Sequence, residues 1–289
     1  MTTSQHSEKA IQARLRSHLD AIARERDIYV ATGGYFFVRE YVRRQMAQWG
    51  SVTSHPFDGL VQGGENLILD LPGTSLESTA PILVGAHYDG VPGTPGADDN
   101  ATGVAVLLEL ARAWSLQPLP HPVRLVAFDL EEYGLLGSRA YARHLRQNGQ
   151  TLRLMLSLEM LGYRDTKAQS QRYPAGLQWF YPDAANFIAL VGNLPTWLDT
   201  RWLSRQMRHT LPCEWLIAGW RGKVVPATRR SDHAPFWDAG YRAMMVTDTS
   251  FLRNPHYHQR SDRIETLDLP FLTQVYIGLA RSLRLLASN

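Results

Sequence analysis

Short apolar runs recur along this chain, and several end in polar residues of one kind. Residues 81–86, with Ile82-Leu83-Val84 at their centre, are continuously apolar and predict a buried strand; they lead into His87-Tyr88-Asp89. A loop rich in Gly and Pro follows, then Asp98-Asp99-Asn100-Ala101-Thr102-Gly103 and an Ala/Val/Leu helix over 100–115. Residues 123–128 predict a second such strand, ending in Asp129-Leu130-Glu131-Glu132, and residues 152–158 a third, ending in Glu159. A fourth, 242–247, precedes a loop that contains His256-Tyr257-His258.

Other stretches show helical spacing. Ile11, Leu15, Leu19 and Ile22 predict an amphipathic helix over 8–25, and Phe37, Tyr41, Met46 and Trp49 one over 36–49 with Gly50 as its stop. Residues 138–148 and 269–286 read as helices, and 52–57 and 66–71 as further strands. Ser231-Asp232 is a good N-cap pair for a short helix over 231–239. Residues 163–230 are less regular. They hold Trp179, Trp197, Trp202, Trp215 and Trp220 together with several prolines, and are expected to form a lid-like insertion of one or two helices and loops. No internal repeat or low-complexity linker divides the chain, so residues 1–289 are expected to form one catalytic domain with that insertion.

Composition narrows the function. The 289 residues are 44% hydrophobic and 20% charged, ordinary for a folded globular chain. A formal charge of +3 with no basic stripe gives no reason to expect a nucleic-acid partner. No run approaches the ~20 apolar residues that span a bilayer, and the polar N-terminal stretch lacks the apolar core of a signal peptide; no membrane partner and a cytoplasmic location are the expectation. The single cysteine, Cys213, cannot form an internal disulfide and reads as a small buried apolar residue.

Taken singly, the polar strand ends mean little. A Glu-Glu pair is usually a solvated turn, a lone loop His is no better, and Asp98-Asp99-Asn100 could simply cap a helix. Their co-occurrence, in the order His, Asp, Glu-Glu, Glu, His, is what points to chemistry. If the strands are neighbours in one parallel sheet, their carboxyl ends converge where open α/β sheets bind ligands. A His/Asp/Glu set without Cys suits a catalytic rather than a structural zinc site. His55, His121, His144 and His209 stand in polar or helical surroundings and read as surface residues.

The pattern resembles the zinc aminopeptidases of peptidase family twenty-eight. The resemblance rests on His87-Tyr88-Asp89, Gly96 to Gly103, Phe128 to Ser138, Ser231-Asp232-His233, Tyr257-His258 and Ser261-Asp262, and spans about residues 80–285. It implies an α/β three-layer sandwich of the zinc-exopeptidase (phosphorylase/hydrolase-like) kind, with a mixed, mainly parallel sheet between helices. It implies two zinc ions bridged by Asp98, with His87 and Glu159 completing one site and Glu132 and His258 the other. Glu131 would be the general base for a zinc-bound hydroxide, Asp89 would fix the tautomer of His87, and a cis peptide would lie at Asp99. Tyr257 would line the pocket for the first substrate side chain, and the substrates would be peptides with a free N-terminus.

One position departs from the family pattern: the third-strand ligand is most often Asp, and here Glu159 is one methylene longer. It either ligates from a slightly retracted backbone or sits beside the centre as a hydrogen-bonded acid. For Ser231-Asp232-His233 the structural reading, a helix cap, is preferred to a place near the substrate. Two other functions stay open on the same scaffold: a glutaminyl cyclase with a single zinc, and a non-catalytic binding relative. A dipeptidase or carboxypeptidase variant stays open beside them.

Overall fold

The computed structural model describes residues 3–75 and 80–288. Eight strands form one sheet in the order β1-β2-β4-β3-β5-β8-β6-β7. They are β1 (Val52–Phe57), β2 (Gly64–Leu71), β3 (Ile82–His87), β4 (Val123–Phe128), β5 (Leu154–Glu159), β6 (Ile188–Gly192), β7 (Cys213–Ile217) and β8 (Ala243–Thr247). The four central strands, β4-β3-β5-β8, are mutually parallel. β2 joins β4 antiparallel at one side and β6 joins β8 antiparallel at the other. The expected mixed, mainly parallel sheet is thus present, and β3 and β5 are buried along their whole length, which is why they read as unbroken apolar runs rather than alternating ones.

The two-residue period of the strands sorts their side chains into two cores. Ile82, Val84 and Ala86 of β3 and Leu154, Leu156 and Leu158 of β5 pack on one face. That face meets α1 (Thr3–Ile22), α2 (Thr32–Ala47), α3 (Gly103–Leu116), α5 (Trp197–Met207) and α7 (Leu269–Leu286). Leu83, Val126, Phe128 and Met155 point to the other face, under α4 (Leu136–Gln147) and α6 (His233–Asp238). The helix–sheet–helix sandwich therefore follows from burying both faces of a sheet whose crossovers are helical.

Residues 163–230 hold two strands besides the expected helix and loops. β6, α5 and β7 extend the sheet and its helix layer, and only the flanking segments are loops. α5 hides its period: Trp197 and Leu198 are exposed, while Asp199 is buried between Arg153 and Arg242. On the second face the helices stop at α6. Beyond it, β6 and β7 are covered by loop 173–181 and loop 218–230 rather than by a helix, and a pocket remains beneath them. Among the described residues no helix is long and apolar enough to cross a membrane.

Candidate metal centre and adjoining pocket

Strand register brings the predicted polar residues together. His87 is the last residue of β3 and Glu159 the last of β5, one strand away. Glu131 and Glu132 follow β4 after a turn at Leu130, whose φ is +54°. His258 arrives on the long loop after β8, itself in the left-handed region (φ +57°) that His tolerates better than most residues. His87 Nε2 lies 3.7 Å from Glu159 Oε2, and His258 Nε2 lies 3.5 Å from Glu132 Oε2. Glu131 shares the His87–Glu159 cluster, with ligand-type atoms all within 4.8 Å of one another.

The acid between the two histidines is Asp99, not Asp98 as the resemblance suggested. Asp99 Oδ1 is 3.4 Å from His87 Nε2, and its Oδ2 is 3.1 Å from His258 Nε2. The carboxylate of Asp98 accepts instead from the Gly162 amide (2.9 Å) and from Asn254 Nδ2 (2.7 Å). The one-residue offset has a local cause. The amides of Asp98 and Asp99 both donate to Asp262, at 2.9 and 3.1 Å, and Asn100 is tied to Leu158, Met160 and Gly103. Fixed at both ends, the turn presents the second Asp to the centre; the Asp99–Asn100 peptide is cis.

Asp89 has a wider role than its neighbourhood to His87 suggested. Its Oδ1 is 3.3 Å from His87 Nδ1, while its two oxygens accept the backbone amides of Glu131 and Glu132 at 3.1 and 3.2 Å. One carboxylate thereby links the histidine strand to the glutamate turn. Asp129 supports the same turn from behind, accepting from Tyr35 Oη (2.6 Å) and from the Glu65 amide (2.8 Å). Asn66 in turn accepts the Asp129 amide at 3.0 Å.

The electrostatics are those of several buried acids crowded around one imidazole. Burial pushes Glu131 well above the usual carboxylate range; His87 opposes that shift, and Glu159, Glu132 and Asp232 add to it. Glu132 is raised by burial and then by Asp99. Burial alone would lower His87, but Glu131 and the carboxylates of Asp89, Asp99 and Glu159 outweigh it and raise the imidazole. Asp99 is held low despite burial, because His258 and His87 flank it. Among the described residues neither nitrogen of His87 has an aligned hydrogen-bond partner, and buried Glu132 Oε1 has none. Orphaned buried ligand atoms facing one another, all N or O donors, fit a zinc-type catalytic site.

The remaining predicted residues divide. Ser231 does not cap α6: its hydroxyl donates to Glu159 Oε2 at 2.8 Å and lies 2.9 Å from Ser157 Oγ. Asp232 makes no side-chain cap either; it is fully buried, and burial raises it to about 7. These contacts were missed because Ser-Asp before a helix has the same signature whether it caps or supports. His256 turns away to Ser261 Oγ, while His55 and His144 pack together outside the cluster.

Tyr257 stacks on His258 with ring centroids 3.7 Å apart, and with Glu159 it forms the edge of the pocket left beyond α6. Tyr173, Tyr181, Phe187, Trp215, Met245 and Phe251 are among the residues of its wall. Trp179, Phe180, Trp220 and Val224, on the two covering loops, are exposed. Glu214 in the wall is paired with Arg208 at 2.9 Å, and the Arg230 guanidinium lies 4.8 Å over the Phe251 ring.

Comparison with known proteins bears on the family and the fold. The sequence profile of Peptidase family M28 matches residues 66–194. The uncharacterised protein YfbL of Escherichia coli is 34% identical over 258 residues, covering 83% of this chain and 77% of YfbL. Aminopeptidase YwaD of Bacillus subtilis is 30% identical over 202 residues, 67% of this chain but only 38% of YwaD; the chain thus spans well under two thirds of that named aminopeptidase. Among solved structures, the LapA aminopeptidase of Legionella pneumophila covers the whole chain (76% of LapA) with a TM-score of 0.74 at 18% identity, a likeness of fold. A zinc aminopeptidase from Bacillus subtilis covers 77% of this chain and 50% of its own at 25% identity and a TM-score of 0.56. A glutaminyl cyclase of Porphyromonas gingivalis shares the fold too, with a TM-score of 0.67 at 18% identity over 96% of this chain and 97% of the cyclase.

Proposed function

Because this chain belongs to peptidase family M28, we propose that it is an aminopeptidase that holds two zinc ions at the carboxyl edge of the sheet. His87, Asp99 and Glu159 would hold one ion, and His258, Asp99 and Glu132 the other. The supporting observation is the placing of Asp99, whose two oxygens face His87 and His258 separately. Zinc, when bound, polarises a peptide carbonyl and makes a neighbouring water acidic near neutral pH.

The chain's own residues do the rest. Glu131 lies in the cluster without being needed for either ligand set. It is the group that takes a proton from the attacking water and returns it to the leaving amine. Asp89 keeps Glu131 and Glu132 on one rigid turn and orients His87, as carboxylates behind metal-binding histidines do. The acids offer a charge complement to the free α-ammonium of a peptide. The pocket beside Glu159 and Tyr257 receives the first side chain in an apolar setting that excludes water.

The test is removal of metal by a chelator and zinc add-back on aminoacyl-anilide substrates, beside Glu131→Ala. Activity should vanish on chelation, return with zinc, and stay absent in the variant. Activity that survives both treatments rejects this reading. The cyclase-like fold gives the alternative product: pyroglutamate from an N-terminal Gln peptide, with one zinc per chain rather than two, would move the assignment there.

A further inference from the structure

We propose that Arg26, in the segment between α1 and α2, is a positioning residue that holds the metal centre pre-formed. Its side chain is fully buried and among the described residues makes no direct ion pair; Asp99, Asp262, Asp89 and Glu132 act on it only through space. Its donors are spent on backbone carbonyls. Nε donates to Tyr88 (3.0 Å), Nη1 to Pro95 (2.6 Å), and Nη2 to Gly96 (2.9 Å) and Asp99 (3.0 Å). Weaker contacts of Nη1 reach Arg24 (3.2 Å) and Ile22 (3.4 Å), at the end of α1.

These carbonyls belong to the two loops that matter most. Tyr88 stands between His87 and Asp89, and Asp99 is the acid between the two histidines. One planar guanidinium therefore fixes the His87 loop against the Asp99 loop, a fork geometry that an ammonium cannot copy. The backbone is shaped to admit it. Gly96 has a φ of +57°, and a Cβ there would meet Nη2 of Arg26 at 2.8 Å and the Asp99 carbonyl at 2.3 Å. A buried cation without a carboxylate partner is costly. Here it lies within the field of four acids and lowers their mutual repulsion before any metal arrives. Arg26 lies outside residues 66–194, where the family profile matches, so the support comes from the N-terminal helices.

The inference rests on the two-zinc reading, and the experiment separates them. Full-length protein is stripped of metal, and zinc affinity is measured by competition with a chromophoric chelator for the parent, Arg26→Lys and Arg26→Met. Melting is followed with and without zinc. Loss of a residue that orients ligands should weaken zinc binding by about 10- to 100-fold in Arg26→Met, with a smaller loss in Arg26→Lys, and the rise in melting temperature given by zinc should shrink accordingly. If both variants bind zinc within about threefold of the parent, well short of the loss expected for an orienting residue, while melting falls equally with and without zinc, Arg26 is only a structural cap and the proposal is overturned. Should Arg26→Met fail to fold, Arg26→Lys decides by the same threshold. A parent that binds no zinc overturns the metal reading, and this inference with it.

Discussion

On the β4-β3-β5-β8 side of the sheet edge, acids are held from behind: Asp89 by two backbone amides, Asp98 and Asp99 through Asp262, Glu159 by Ser231. Across Glu159, over β6 and β7, the wall is aromatic and its rim, Trp179, Phe180 and Trp220, is open to solvent. The first region is placed by strand register and a closed hydrogen-bond network. The second has a floor on β6, β7 and β8 but takes its aromatic rim from loops outside the ladder. On the function proposed above, chemistry and choice of substrate fall to two differently supported parts of the chain.

The largest effect that would break this division is at the shared acid. Asp99→Asn should abolish tight binding of at least one zinc and lower kcat by roughly a thousandfold or more, on the order of 4 kcal/mol. Asp98→Asn should keep the zinc content of the parent. Elemental analysis beside kinetics checks both; the reverse pattern would return the bridging role to Asp98.

Next comes pH, read on the metal-free protein by denaturant unfolding. His233, at the joint between the regions, donates from Nε2 to the pocket residue Thr228 at 2.8 Å, and burial pushes it down to about 3 from an ordinary 6.5. The native state keeps it neutral while the unfolded chain takes a proton, so this group withdraws stability as pH falls below 6.5, about 2–3 kcal/mol by roughly pH 4.5. Burial raises Asp129, Asp232 and Asp262 to about 7. Those groups hold protons in the native state, favour folding at low pH, and withdraw stability as pH rises from the ordinary 3.8 toward 7. Stability should peak on the acid side of neutrality and fall in both directions.

A smaller effect sharpens the pocket side. Ala189, on β6, lines the pocket, and Ala189→Phe should lower kcat/KM for leucyl and phenylalanyl anilides by about 10- to 100-fold against alanyl anilide, with zinc affinity unchanged. Equal losses on all three substrates would mean that the pocket does not receive the first side chain. Smallest of all, Trp179→Ala and Trp220→Ala should change unfolding free energy by less than about 0.5 kcal/mol, since both rings are exposed. A larger loss would show that the rim is braced after all.

The same contrast explains what the sequence disclosed. Strands β3, β4 and β5 are buried on both faces, so their apolar runs stand out; β3 ends at His87, β5 at Glu159, and β4 just before the turn that carries Glu131 and Glu132. His87, Glu131, Glu132 and Glu159 could be read in that way, and His258 from the loop after β8. Asp99 was displaced by one residue because adjacent aspartates are indistinguishable until the backbone chooses which faces inward. Arg26 left no signal, since a cation bound only to carbonyls has no partner residue for a pattern to reveal. β6 and β7 are five residues each, too short for a periodicity to separate them from loop, and α5 between them turns apolar residues to solvent and an acid inward. The pocket they support was correspondingly illegible.

The stop of the second helix layer at α6 has a consequence for how new specificities could arise in this scaffold. Segment 218–230 roofs the pocket and is tied to the end of β6 at Ala218, Gly219 and Trp220, so the part beyond residue 220 can be lengthened, shortened or exchanged while the β8–β6 register and the ligand spacing stay where they are. On the function proposed above, a transplanted roof should change which first side chain is accepted and leave the step assigned to Glu131 untouched.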